Sequence, residues 1–516
     1  MLIRPVTLGF WAALVLASGL RTTAASAAPA DAPAASDDSD DSDDDATAKP
    51  SEKPSAKPVA QKAPAADAPN SDASTATKPP AAEIAAATPP NPESPLTVHG
   101  GGWSASLYGF AELDIMADST QSFVEGSLNN GVARPNTVAG DNPRVQFTAR
   151  NSRIGFKIGA PDWGSIKTSA VFEMDFFGEQ PASLRQDAAY TSGPIRMRQF
   201  YAKMETPVVD VLAGQYHDLF AWGGAGFYPN SVAFLPLMGE IYHRNPQLRV
   251  SKIFASSALD FELAVAAVRP VQRDAGVPDV QAGIRLAING WQGASSPGAS
   301  RPVAAPMALG ISAVGRRLSV TDFSTTPGNP HSAPAGGIAA NIFLPVIPAH
   351  GDDLSNAISF TGEFTTGTGI SDLYPGLTGG VGFPALPDPN NTVSVPTYIP
   401  NVDPGIATYD AADTLHTINW RALVLNAHYH LPISGGKKLW VSGTFSMLQS
   451  SNALEYTPIQ GRDFVWNKGQ YVDANVWWAV TPAAQVGLSF QNMQQTYGDG
   501  VIARNNRGEA AFYLFF

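Results

Sequence analysis

Past residue 27 the chain never gathers the ~20 consecutive apolar residues that a membrane helix needs. From Gly100 to its last residue it is instead built of short segments in which every second residue is apolar. A period of two places alternate side chains on opposite faces of a strand. At the C-terminus Ala510, Phe512, Leu514 and Phe516 form one such row. In Ser106–Ile115, Glu112 and Asp114 oppose Leu113 and Ile115; in Ser165–Phe176, Glu173 and Asp175 oppose Phe172, Met174 and Phe176. Apolar on one face and charged on the other fits a wall with lipid outside and water inside. It also fits a half-buried soluble sheet, so the spacing of the segments has to decide.

Sixteen candidate strands lie near 103–116, 143–159, 164–177, 195–205, 208–218, 247–255, 258–268, 279–289, 308–320, 336–347, 354–366, 415–430, 439–450, 465–479, 485–496 and 505–516. Their connections alternate in length. Pro161–Trp163, Thr206-Pro207, Ser256-Ser257, Pro432–Lys437 and Pro482–Ala484 are tight, whereas 117–142, 178–194, 219–246 and 367–414 are long. Short turns at one end and long loops at the other are the mark of a transmembrane barrel. A closed barrel is also the one strand architecture that satisfies every backbone polar group in lipid. The fold expected is therefore all-β, a transmembrane antiparallel β-barrel of about sixteen strands over 99–516. One connection departs from the pattern. Gly290–Met307 falls on the short side yet runs long, so either a strand is misplaced there or the turn is elaborated. Trp103, Trp163, Trp440, Trp477, Trp478 and Tyr513 stand near strand ends, where aromatic girdles are expected.

The N-terminal part reads differently. Residues 1–27 carry Arg4, an apolar stretch from Val6 to Leu20 and a small-residue Ala25-Ser26-Ala27 site, as a secretory signal does. The apolar run is too short for an anchor helix. Residues 28–98 are dominated by Ala, Pro, Ser, Asp and Lys, and no aromatic residue occurs among them. Such a segment buries too little apolar surface to offset chain entropy, so a disordered, periplasmic N-terminal arm is expected. Its acidic run Asp37–Asp45 reads as a solvated spacer or a weak calcium-binding tail. Its Lys49-Pro50, Lys53-Pro54 and Lys57-Pro58 repeats offer a contact to anionic cell-wall polymer, peptidoglycan.

Composition removes several classes. A formal charge of -12 argues against non-specific nucleic-acid binding. With no cysteine there is no disulfide framework, zinc–thiolate site or thiol nucleophile. No cofactor motif is evident: the Gly223-Gly224 and Gly379-Gly380 pairs lack a strand–loop–helix context. His428 and His430 share a strand face, but no third metal ligand is apparent.

Four segments then occur in a telling order: Ser152–Ile158 (SRIGFKI), Phe172–Gly178 (FEMDFFG), Arg198–Ala202 (RQFYA), and Leu212–Gln215 (LAGQ) closing on Leu219-Phe220. The series resembles the DcaP-like outer-membrane porins, most clearly over the first third of the barrel. The resemblance implies a sixteen-stranded homotrimeric barrel seated in outer-membrane lipid, admitting small anionic solutes such as dicarboxylates. It also implies an N-terminal extension able to form a coiled coil. Here the arm has no heptads and too much proline for a helix, so any trimer must rest on barrel contacts.

The connection Asp218–Asn245, which holds Trp222, Pro229, Pro236 and Glu240, resembles the inward-folded constriction loop of general porins. Basic residues gather around it in sequence. Arg196 and Arg198 share one strand face; Lys203, Arg244, Arg249 and Lys252 follow; Arg144 and Arg150 precede. Arginine holds its charge at any relevant pH and grips a carboxylate through two parallel hydrogen bonds. A lumenal ring of such residues favours anion entry, although lysine and arginine also stand at membrane rims. Glu112, Glu173 and Asp175 are expected to face the same lumen and set a transverse field across it. Phe512, Leu514 and Phe516 match the C-terminal assembly signal of outer-membrane barrels. Two alternatives to a pore remain open: a tether joining outer membrane to cell wall through the arm, and a barrel hydrolase.

Overall fold

A computed structural model describes residues 96–516 apart from 124–130, 179–192, 223–225, 234–236, 272–274, 299, 322–329, 376–404, 410–413, 457–461 and 464. The leader and nearly all of the arm lie outside the described residues, as do Pro236 and both glycine pairs.

The alternating segments form one closed antiparallel ring. Its sixteen strands are β1 (Trp103–Asp118), β2 (Arg144–Thr148 and Arg153–Gly159), β3 (Lys167–Asp175), β4 (Arg196–Glu205), β5 (Asp210–His217), β6 (Arg244–Ala255), β7 (Leu259–Val268) and β8 (Asp279–Ser295), then β9 (Val303–Thr321), β10 (Pro330–Ile347), β11 (Ile358–Thr368), β12 (Asn419–His430), β13 (Leu439–Ser450), β14 (Trp466–Ala479), β15 (Ala484–Tyr497) and β16 (Ile502–Phe515). Each pairs with its sequence neighbours, and β16 closes on β1 with Phe110 opposite Phe515 and Asp118 opposite Arg507. Closure leaves no open edge in the lipid zone. At the seam Gly109 and Phe516 exchange both backbone bonds, at 3.0 and 3.1 Å. A Cβ on Gly109 would come within 2.1 Å of the Arg153 carbonyl, so only glycine lets the strands approach here. Below Phe516 the free edge of β1 is covered by a short strand, Thr97–Gly100, that the sequence pattern did not reveal.

The period of two decides which face is which. On β15 Phe490 is 58% exposed while Gln491 beside it is 0% exposed. Leu248, Val250 and Phe254 on β6, Val145 and Phe147 on β2, and Phe512 and Leu514 on β16 are likewise exposed. An apolar belt this continuous has lipid, not water, as its solvent. The interior face carries the polar and charged residues, including Glu112, Asp114, Glu173, Asp175 and Arg198.

All sixteen candidate strands are present, with three adjustments. The 143–159 strand is interrupted at 149–152, where Ser152 N bonds back to Ala149 O. The 415–430 segment divides, because Leu415–Thr417 pairs with Ala407–Tyr409 and only Asn419–His430 joins the ring. The long Gly290–Met307 connection is an elaborated turn: β8 and β9 run beyond the expected limits, with an irregularity between Ile288 and Gln292.

The aromatic girdle needs correcting. Trp103, Trp163 and Trp478 are exposed, but Trp440, Trp477 and Tyr513 are buried on the inner face. Trp477 and Trp478 are consecutive, so strand geometry sends one in and the other out. Trp440 and Trp477 stack at 6.0 Å between centroids, and His430 stacks on Trp440 at 5.7 Å.

Candidate functional site

The barrel interior is shaped first by the connection from His217 to Arg244. Its described residues are almost all buried, and several of its backbone N–H groups donate to inward side chains of the surrounding wall. Phe220 N donates to Gln281 Oε1 at 2.8 Å and Ala221 N to Ser312 Oγ at 2.7 Å. Asn230 N donates to Asn426 Oδ1 at 3.1 Å and Val232 N to Asn475 Oδ1 at 3.0 Å. Ile241 N donates to Glu363 Oε1 at 2.7 Å. These partners stand on β8, β9, β12, β14 and β11, so the segment crosses the bore and returns. Buried backbone groups need such partners, which is why a loop can lie inside a barrel at all. Trp222 lies in this segment, with its indole Nε1 on Ile311 O at 3.2 Å. Glu240 lies in its return limb, with Oε2 accepting from Leu237 N at 2.9 Å. Burial, reinforced by the neighbouring Glu363 carboxylate, pushes the Glu240 carboxyl well above its ordinary range.

Where that segment rejoins the wall, four guanidiniums meet two carboxylates. Arg196 grips Asp175 through Nε and Nη2, at 2.9 and 2.6 Å. Arg198 donates from Nε to Glu173 Oε1 at 2.8 Å, from Nη1 to Asp175 Oδ2 at 3.0 Å and from Nη2 to the Tyr242 hydroxyl at 2.9 Å. Arg153 Nε stands 3.8 Å from Glu173. Arg244 lies over the Tyr242 ring at 5.1 Å, and its Nη1 is buried with no hydrogen-bond partner. The group therefore carries a formal excess of two positive charges. Burial alone would raise the Tyr242 hydroxyl pKa, but Arg198 and Arg244 beside it bring it down to about 8.

The remaining expected site residues are distributed around the wall. Arg249 points inward, spending Nη2 on His217 O at 2.6 Å and Nε on Gln247 Oε1 at 3.0 Å. Arg144 faces in and holds Phe123 O at 2.8 Å. Arg150 is a fastener for the base of the second long connection, bonding Phe176 O at 3.0 Å and Gly178 O at 3.2 Å. Lys203 pairs with Glu205 at 3.3 Å near the short-turn end. Lys252 does not line the lumen. It shares the outward row of Leu248, Val250 and Phe254, with Nζ on Pro207 O at 2.5 Å. From Leu248 to Phe254 the even positions of β6 face lipid, so this lysine sits at the membrane rim.

The acids also need one correction. Glu173 and Asp175 do not oppose the arginines across the opening but pair with them on the same wall. Glu112 belongs to a separate acidic stretch of β1 and β16 with Asp114 and Glu509, and accepts from Asn151 Nδ2 at 2.5 Å. His428 and His430 each bond a backbone carbonyl, Ala294 O at 2.6 Å and Gly436 O at 2.8 Å. No group of three His, Asp or Glu that could hold a metal occurs among the described residues.

Sequence reasoning missed Arg153, Tyr242, Arg316 and Arg507 as interior residues. Arg316 pairs with Asp279 and Asp372, both at 2.5 Å, and Arg507 with Asp118 at 2.8 Å. The row of Ser312, Val314, Arg316 and Leu318 mixes polar and apolar side chains, because loops pack against parts of the inner face. Strand parity counted from the exposed Ile311 would have placed Arg316 inside.

A closed ring of sixteen strands, lipid-facing outside, charged inside and crossed by an inward loop, is a transmembrane barrel of porin architecture. The sequence matches no family model and no curated protein. In fold the chain is similar to the outer-membrane channel DcaP of Acinetobacter baumannii, with a TM-score of 0.56 at 15% identity, covering 81% of this chain and 99% of that one. An anion-selective porin of Comamonas acidovorans aligns over 80% of this chain and 100% of its own, with a TM-score of 0.45 and 7% identity. OmpF of Salmonella typhi aligns over 81% and 100%, with a TM-score of 0.44 and 9% identity.

Proposed function

We propose that the protein is an outer-membrane porin for passive diffusion of small anionic solutes, dicarboxylates among them. The reading rests on one observation above the others: Arg244, inside the barrel, has a buried guanidinium nitrogen with no partner, beside three further arginines that only two carboxylates neutralise. A desolvated cation without a carboxylate attracts an anion, and two carboxylates of one solute fit two such groups. On this reading the 218–243 segment narrows the water path, since a sixteen-stranded barrel alone leaves a wide one. The long connections face outward from the cell and the short turns face the periplasm, as an exported arm requires. On this reading the protein does no chemistry on its solute.

The test is single-channel recording of the refolded protein in a planar bilayer under a salt gradient. Stepwise ohmic currents with a reversal potential on the anion side are expected. Arg244→Gln should lower the anion-to-cation permeability ratio by about twofold or more. A folded barrel that passes no current would overturn the reading.

A further inference from the structure

Several turns at the short-connection end stand open. Pro161, Pro207, Val208, Ser256, Ser257 and Pro482 all stand in solvent. The β8–β9 turn is buried instead: Ala294 is 0%, Ser296 1% and Ser300 5% exposed. Three extra residues between Ile288 and Gln292 break the pairing with β9 and bend the hairpin inward. The bend is fixed from both sides. Trp291 Nε1 donates to Pro345 O at 2.8 Å, and Ala294 O accepts from His428 Nε2 at 2.6 Å. The tip then meets the inward loop from the other end of the barrel. Asn230 Nδ2 donates to Ser296 O at 2.7 Å and to Gly298 O at 3.1 Å, and Gly298 N donates to Pro229 O at 2.9 Å.

Arg301 follows the tip. Its guanidinium lies 5.1 Å from the centre of the Phe515 ring. Phe515 is on β16, eight strands from β8 in a ring of sixteen, which is the opposite wall. The hairpin therefore spans the bore. Arg301 is half-buried and makes no ion pair or hydrogen bond among the described residues. The arginines Arg196, Arg198, Arg316 and Arg507, by contrast, are all held by carboxylates.

We infer that residues 289–298 and 300–302 form a second constriction at the periplasmic mouth, and that Arg301 is its anion-selecting residue. This rests on the porin reading and adds a place where selectivity is set. On this reading a solute leaving the lumen passes beside Arg301, where the hairpin reaches the β16 wall. A cation there with only an aromatic face as partner offers its donors to a carboxylate or phosphate.

The chain has no cysteine, so Arg301→Cys supplies a unique thiol in an otherwise silent background. In the planar bilayer the variant should lose anion preference by about twofold or more. Treatment with a thiol-directed quaternary-ammonium reagent should restore it, and a sulfonate reagent should depress it further. Rescue by charge on the same folded protein separates a lost cation from a damaged barrel. Reagent added on the short-turn side should act faster than reagent added on the loop side. Unchanged selectivity in the variant and after both reagents, with the unaltered protein still conducting anions, would overturn this inference alone. Silence of the unaltered protein would overturn the porin reading with it.

Discussion

The Tyr242 hydroxyl accepts from Arg198 Nη2 at 2.9 Å, joining the return limb of the inward loop to the wall that carries the arginine cluster. Tyr242→Phe removes that acceptor and leaves one buried guanidinium donor unmatched, a cost of about 1–3 kcal/mol. The loop should then detach more often. Single-channel records should show more frequent current flicker, with mean conductance little changed. Records as quiet as those of the unaltered protein would show that the loop is held by its other bonds alone.

Glu173 accepts from Arg198 and stands 3.8 Å from Arg153. Glu173→Gln keeps the shape and raises the local charge excess by one. The reversal potential should move toward the anion side, opposite to the shift from Arg244→Gln. The variant should also unfold at lower denaturant, because a buried charge that loses its partner costs about 3–5 kcal/mol. A stable variant with an unmoved reversal potential would place the cluster off the solute path.

Glu240 gives the loop a pH dependence. Burial and the neighbouring Glu363 hold its pKa well above the ordinary value, so the folded loop favours its neutral form. A carboxyl whose folded pKa is raised adds stability below its unfolded pKa, about 4.3, and loses it as pH rises through the folded value. Flicker should therefore increase as the bathing pH is raised. Glu240→Gln, which stays neutral, should flicker less than the unaltered protein as the pH is raised. Equal pH sensitivity in both proteins would assign the effect to another group.

Trp477 and Trp478 provide a paired test of the wall. Trp477 is 0% exposed against Trp440 and Tyr513, and its replacement by Ala should cost about 3–5 kcal/mol. Trp478 is 47% exposed on the lipid face, and Trp478→Ala should leave unfolding in lipid nearly unmoved. Comparable losses at both positions would contradict the assigned parity.

Deletion of Phe516 removes the two backbone bonds it shares with Gly109, worth about 1 kcal/mol each. These bonds close the ring. The yield of heat-modifiable, folded barrel should fall while the unfolded chain is made normally. Unimpaired folding would show that β16 closes on β1 without Phe516.

The sequence by itself determined the ring. Alternation at period two, tight turns facing long loops and an even number of segments leave few other folds, because lipid forces every strand edge to be paired. That logic set Glu173 and Asp175 on the face away from lipid and put Arg196 and Arg198 on one strand face, and it misplaced Lys252 and Trp440 where parity was not counted through. Only the tertiary structure decided what fills the ring. The bonds that hold the inward loop, whose course its resemblance to constriction loops had suggested, the buried β8–β9 hairpin and the meeting of Asn230 with Gly298 depend on contacts between residues far apart in the chain. No local period records them. The same holds for charge: whether an arginine is free, like Arg301, or neutralised, like Arg198, is set by which carboxylates the closed barrel brings within reach.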